Sequence, residues 1–165
     1  MKITVEIAFA EQEWDSYPEI NKKQISLVVS DIMQRYKNFA KVQEFELSVL
    51  LTNNKQMQDL NKKFRQKDAT TNVLSFSDVP IHWEQILEFE PYLDYMYLGD
   101  VAFGYETIKA EAAVAGIKFM DHFVHLLIHS ILHLIGYDHM DDHSATIMQD
   151  LEIEILKRFS IASPY

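Results

Sequence analysis

Hydrophobic and polar residues change period several times along this chain. Residues 3–9 (ITVEIAF) alternate with period two, as a half-buried β-strand does. From Pro18 to residue 38, Ile20, Ile25, Val28, Val29, Ile32, Met33 and Tyr36 fall at helical spacing. Proline suits the first turn of a helix, so the pattern predicts a helix over 18–38. Alternation returns at 44–52 (EFELSVLLT). Asn53 or Asn54 can cap a short helix after it, burying Met57, Leu60 and Phe64. Further strands are expected at 72–77 and 97–103, separated by a long, aromatic and acidic connection at 78–96. A connection of that length in a small domain is commonly functional or mobile. Three helices are then expected, at about 104–117, 119–135 and 142–159, the last capped by Asp141 or Asp142. Strands and helices interleave early and helices cluster late. The expected class is α+β: one domain over residues 1–165, with a small central mixed sheet of about four strands covered by about five helices. The most apolar helix, 119–135, is expected to pack centrally, and strand order is not readable from the pattern.

Composition changes this picture in two respects. Of 165 residues, 48% are hydrophobic and 24% charged, an ordinary globular balance. The chain has no cysteine, which forbids disulfides and restricts metal ligands to His, Asp and Glu. The N-terminus alternates like a strand and soon meets acidic residues, a poor signal peptide, and no apolar run nears the roughly 18 residues of a membrane span. A cytoplasmic location, away from membranes, is therefore expected. The net charge of −10 argues against a nucleic-acid partner until its distribution is considered. Residues 1–67 hold 11 basic and 9 acidic side chains, whereas 68–165 hold 4 and 16. The densest basic cluster is Lys62, Lys63, Arg65 and Lys67. On composition alone it reads first as a solvated helix C-terminus, where the macrodipole favours cations, and only second as a phosphate-binding patch.

Histidines concentrate between residues 122 and 143, and the informative stretch runs from His129 through His133 to His139. The first two are spaced i, i+4, which puts both rings on one helix face about 6 Å apart along the axis. Gly136 can end that helix and turn the chain so that His139 reaches the same point. Three imidazoles would leave one tetrahedral position open, as catalytic zinc sites require, and water bound there has a pKa near 7. One Zn2+ is expected, with nickel or another divalent transition metal as alternatives. His125, His129 and His133 form a second possible set, but its ends lie about 12 Å apart on a straight helix and cannot converge on one ion. His125 and His122 then belong to the core or orient the ligands. His143 is placed at a rim or as a cap, and His82 has no assigned role. In one class of zinc protease with this His spacing, a glutamate general base follows the first histidine; here that position is Ser130, which argues against such a protease. Asp138 reads as a turn residue or as support for the ligands.

These residues resemble a known family. His129-Ser-Ile-Leu-His133-Leu-Ile-Gly-Tyr-Asp-His139 is similar to the His-Gly-x-Leu-His-Leu-x-Gly-Tyr-Asp-His signature of the bacterial YbeY family of rRNA-maturation endoribonucleases. Asn61-Lys-Lys-Phe-Arg65, followed by Thr71-Asn72-Val-Leu-Ser75-Phe76, resembles a second family segment, and Leu98-Gly99-Asp100-Val101 a third, all in the family's order. Ser130 stands where the family usually has glycine, and Thr70 and Ser77 where it often has proline. The resemblance implies an α+β domain, a metal on the three motif histidines, and cleavage of single-stranded RNA in ribosomal RNA processing, especially at the small-subunit 3′ end, and in ribosome quality control. It also implies ribosomal proteins and an assembly GTPase as partners, and a functionally essential Arg65. Lys62, Lys63 and Lys67 would then attract the RNA backbone, with no DNA expected as substrate. Thr71 and Asn72 could line the cleft or merely form a turn; Ser75 lacks a base to make it a nucleophile. Trp83 and Tyr137 could stack on bases, while Phe76 is expected in the core. Two other readings remain: a hydrolase of another substrate, and a non-catalytic ribosome-assembly factor with a structural metal.

Overall fold

The computed structural model describes residues 1–165 except Pro80, Tyr92 and Leu93. The parts of the connection at those three positions lie outside the described residues. Alternating segments form four strands: β1 (Lys2–Phe9), β2 (Glu44–Thr52), β3 (Val73–Ser77) and β4 (Tyr95–Gly104). Helical periods form α1 (Lys22–Met33), α2 (Asn54–Arg65), α3 (Tyr105–Ala115), α4 (Phe119–Leu134) and α5 (Asp142–Arg158). The class is α+β, as expected. The strands lie in the order β1-β2-β4-β3, with β1, β2 and β4 parallel and β3 antiparallel on β4.

The sheet has two unequal faces. Phe45, Leu47 and Leu51 of β2 point into the main core, shared with Val28, Val29 and Ile32 of α1 and with Leu127, Ile128 and Ile131 of α4. On the opposite face, Leu74 and Ala102 form a second buried cluster with Met57 of α2. Beside it lies an open groove of about 640 Å³, floored by Ala8, Leu50 and Ala102 and walled by Leu60, Phe64 and Phe76. Phe64 is therefore not on a buried face as its spacing suggests: it is 55% exposed, because α2 covers too little of the sheet to bury it.

Local chemistry explains other departures. The first helix begins four residues after Pro18, because the Asn21 side chain accepts from the Gln24 amide and caps it there. It ends at Met33, and a separate 3-10 turn covers Lys37–Lys41. Asn53 rather than Asn54 caps α2, and Asp141 rather than Asp142 caps α5 in a reciprocal capping box with Ser144. The fourth strand starts earlier than expected and carries a bulge, where the register to β2 skips Leu98. Gly99 sits beside it at φ 132°, and a Cβ there would lie 2.1 Å from the Phe76 carbonyl oxygen, so only glycine lets β3 approach. Among the described residues, no helix is long and apolar enough to cross a membrane.

Candidate metal centre

α4 is buried along most of its length, which fixes where its C-terminal end points. His129 and His133 project from its last two turns. Ile135 is the C-cap, and Gly136 turns the chain at φ 97°. The turn is held by the Gly136 amide donating to the His133 carbonyl and the Tyr137 amide to the Leu132 carbonyl, 3.1 and 3.0 Å. His139 returns on the far side of this turn, and its ring lies 5.5 Å from that of His129 and 4.9 Å from that of His133. One ligand atom from each histidine lies within 4.8 Å of the other two. Two nitrogens on a tetrahedral zinc are about 3.3 Å apart, given Zn–N of about 2.0–2.1 Å, so one ion fits this cluster after small adjustments.

Ring protonation supports the same fit. His133 Nδ1 lies 2.9 Å from the Tyr137 carbonyl, which can only accept. His129 Nδ1 lies 2.6 Å from Glu152 Oε1. Burial pushes the Glu152 carboxyl up, but hydrogen bonds from His125 and His129 outweigh it and hold it at about 2. Both Nδ1 atoms therefore carry hydrogen in the neutral rings. The two Nε2 lone pairs then face each other at 3.0 Å, which is repulsive unless a cation lies between them. Burial, and next the neighbouring His129, lower the His133 pKa to about 4, so it is neutral and able to ligate near pH 7.

The three histidines line a groove of about 420 Å³. Its other wall comes from the end of α2 and the segment leading into β3: Asn61, Arg65, Lys67, Thr71, Asn72 and Ser75. The groove thus brings Arg65 and Lys67 together with the triad. Arg65 is exposed and donates to the Ser75 carbonyl at 3.0 Å. Lys62 and Lys63 are not part of the groove wall; Lys62 pairs with Asp68 at 2.8 Å, and Lys63 lies over the Phe64 ring.

Residues 9–160 match the family model described as Endoribonuclease YbeY. The chain belongs to this family. An Endoribonuclease YbeY from Paramagnetospirillum magneticum is 43% identical over 120 residues, covering 73% of this chain and 71% of that one. The solution structure of a Thermotoga maritima protein is similar over 95% of this chain and 92% of that chain, with a TM-score of 0.54 and 19% identity, a likeness of fold alone. The YbeY match takes in the triad, the groove's opposite wall and the bulge at Leu98-Gly99.

The remaining candidates fall outside this groove. Tyr137 is buried, with its hydroxyl 2.9 Å from that of Tyr36, which removes it as a stacking platform. Phe76 walls the groove on the other sheet face. Trp83 stacks on Tyr137 and donates its backbone N–H to the Gly136 carbonyl, so the long connection braces the ligand turn. His82 lies 3.5 Å from Asp138, and the Met140 amide donates to Asp138, a turn role for that carboxylate. His125 turns away from the triad toward Glu152, at 2.9 Å, which excludes the straight-helix ligand set. Glu152 itself was not singled out by the sequence. Its one signal is an acidic residue at the spacing of Met148 and Ile155, on the buried stripe of α5.

Proposed function

We propose that this chain is a zinc-dependent, single-strand-specific endoribonuclease of ribosomal RNA processing, acting at the small-subunit 3′ end and in ribosome quality control in the cytoplasm. The observation that carries this reading is one groove with three convergent imidazoles on one wall and Arg65 and Lys67 on the other. His129, His133 and His139 would hold the ion through neutral nitrogens. When bound, the metal supplies a Lewis acid for a phosphoryl oxygen and lowers the pKa of water. Arg65 presents a planar, permanently charged fork that matches a phosphodiester and stabilises charge developing on its oxygens. Its bond to the Ser75 carbonyl fixes the fork at the groove while leaving other N–H groups for the substrate. Lys67 adds a second cation at the same wall, and Lys62 and Lys63 attract the strand from outside it. The groove is open, so an unpaired strand can lie along it.

The net charge of −10 favours a concurrent role beside basic ribosomal and assembly proteins on the small subunit. It also keeps the second reading, an assembly factor with a structural metal, in competition. The deciding experiment is cleavage of a single-stranded RNA oligonucleotide by the wild-type protein and by His133→Ala, purified identically. Cleavage by wild type alone is expected. Equal cleavage by both would assign the activity to a contaminant or another site and favour the assembly factor.

A further inference from the structure

Glu152 is completely buried, although the α5 stripe it occupies otherwise carries Met148, Ile155 and Leu156. A leucine would extend that stripe. A carboxylate taken out of water is costly unless its lone pairs are answered. Here they are answered almost entirely by groups around the triad. Oε1 accepts from His129 Nδ1 at 2.6 Å, and Oε2 from His125 Nε2 at 2.9 Å. The Tyr165 hydroxyl donates to Oε2 as well. His125 and His129, the two histidine partners of Glu152, stand on successive turns of α4.

We infer that Glu152 is the positioning residue of the metal centre: it fixes His129 with hydrogen on Nδ1 and the Nε2 lone pair directed at His133 and His139, while His125 and Tyr165 hold the carboxylate in place. The inference rests on the three histidines being the ligand set. The two helical ligands are then fixed by different devices. His133 is set by a carbonyl four residues on, within its own turn. His129 is set by a side chain from another helix, so the docking of α5 on α4 becomes part of the site. A carboxylate on the far nitrogen also makes an imidazole a better donor to a metal, and such partners commonly change affinity by 10–100-fold. His125 thereby acquires a role that spacing alone left open: it clamps the carboxylate and does not bind the ion.

Glu152→Gln tests this with almost no change of volume. The two histidines meet different oxygens, so in the amide one of them would face the NH2 group, which cannot accept, and that ring must turn or move its hydrogen. Zinc affinity, measured by competition with a chromophoric chelator, should fall about 10–100-fold. Proton–nitrogen correlation spectra of the metal-free protein should lose the His129 Nδ1–H or the His125 Nε2–H signature and keep the His133 Nδ1–H one. Wild type serves as the separate control on the ligand set. If wild type takes up no zinc, the ligand assignment fails and this inference with it. If wild type binds zinc and Glu152→Gln binds equally well with unchanged tautomers, Glu152 is only a core residue. Should the variant not fold, the wild-type spectrum still decides: His129 protonated on Nδ1 is expected, and hydrogen on Nε2 overturns the inference.

Discussion

Arg65 and the three histidines come from opposite walls of one groove, and their roles separate experimentally. Arg65→Ala removes a guanidinium that touches the Ser75 carbonyl and no proposed ligand. Turnover on single-stranded RNA should fall about 100-fold or more, as for other lost transition-state donors, with zinc content unchanged by elemental analysis. Loss of zinc together with activity would instead make Arg65 structural. His133 brings a pH dependence of known sign. Its pKa is lowered from 6.5 to about 4 in the folded chain, so the unfolded chain takes up this proton first as pH falls. Stability of the metal-free protein should therefore be unaffected by this group above pH 6.5 and decline progressively from there toward pH 4. Urea titrations across that window check it, and a His133→Asn variant should flatten the decline.

At the scale of elements, the turn between α4 and His139 is tightly constrained backbone. A Cβ on Gly136 would sit 2.2 Å from the Ile81 carbonyl oxygen, at a φ of 97°. Gly136→Ala should cost about 1–3 kcal/mol from the backbone conformation, with the steric clash in addition. It should also weaken zinc binding, because His139 follows this turn and the long connection braces it through Trp83. Thermal unfolding and zinc titration of the variant measure the two effects. Much of this was legible in the chain itself. His129 and His133 declare themselves by helical period, and Gly136 explains how His139 joins them. Other features could not be read there. Arg65 by its own spacing looks like any exposed cation at a helix end, so only the family resemblance singles it out, and its place opposite the triad depends on how α2 lies on the sheet. Glu152 gains its meaning only from the packing of α5 on α4. Phe64 misled because period reports which residues share a face, not whether anything covers it. The bulge at Leu98 follows from a strand pairing that no local pattern encodes.

The two grooves of the molecule meet across β3, which turns Ser75 toward the histidine groove and Phe76 toward the apolar groove on the other face. Acidic residues dominate the second half of the chain, so under the proposed function attraction for RNA would come from the end of α2 and not from the surface at large. The position of the ligands has a further consequence for chain entropy. All three lie between residues 129 and 139, so an ion joining them closes only a short loop. By analogy with a disulfide, an ion that stayed bound in the unfolded chain would restrict it by about 3 kcal/mol, against nearly 5 kcal/mol for a link across 100 residues. The main core runs through this segment at Ile131, Leu132, Leu134 and Ile135, and apolar packing holds it without this link. Chelation should thus lower Tm by an amount set by the free zinc concentration relative to its Kd, leaving one cooperative transition and an intact circular dichroism spectrum. A folded but inactive chain after chelation would mean that the ion is carried for chemistry; collapse of the fold would mean that it is carried as a strut.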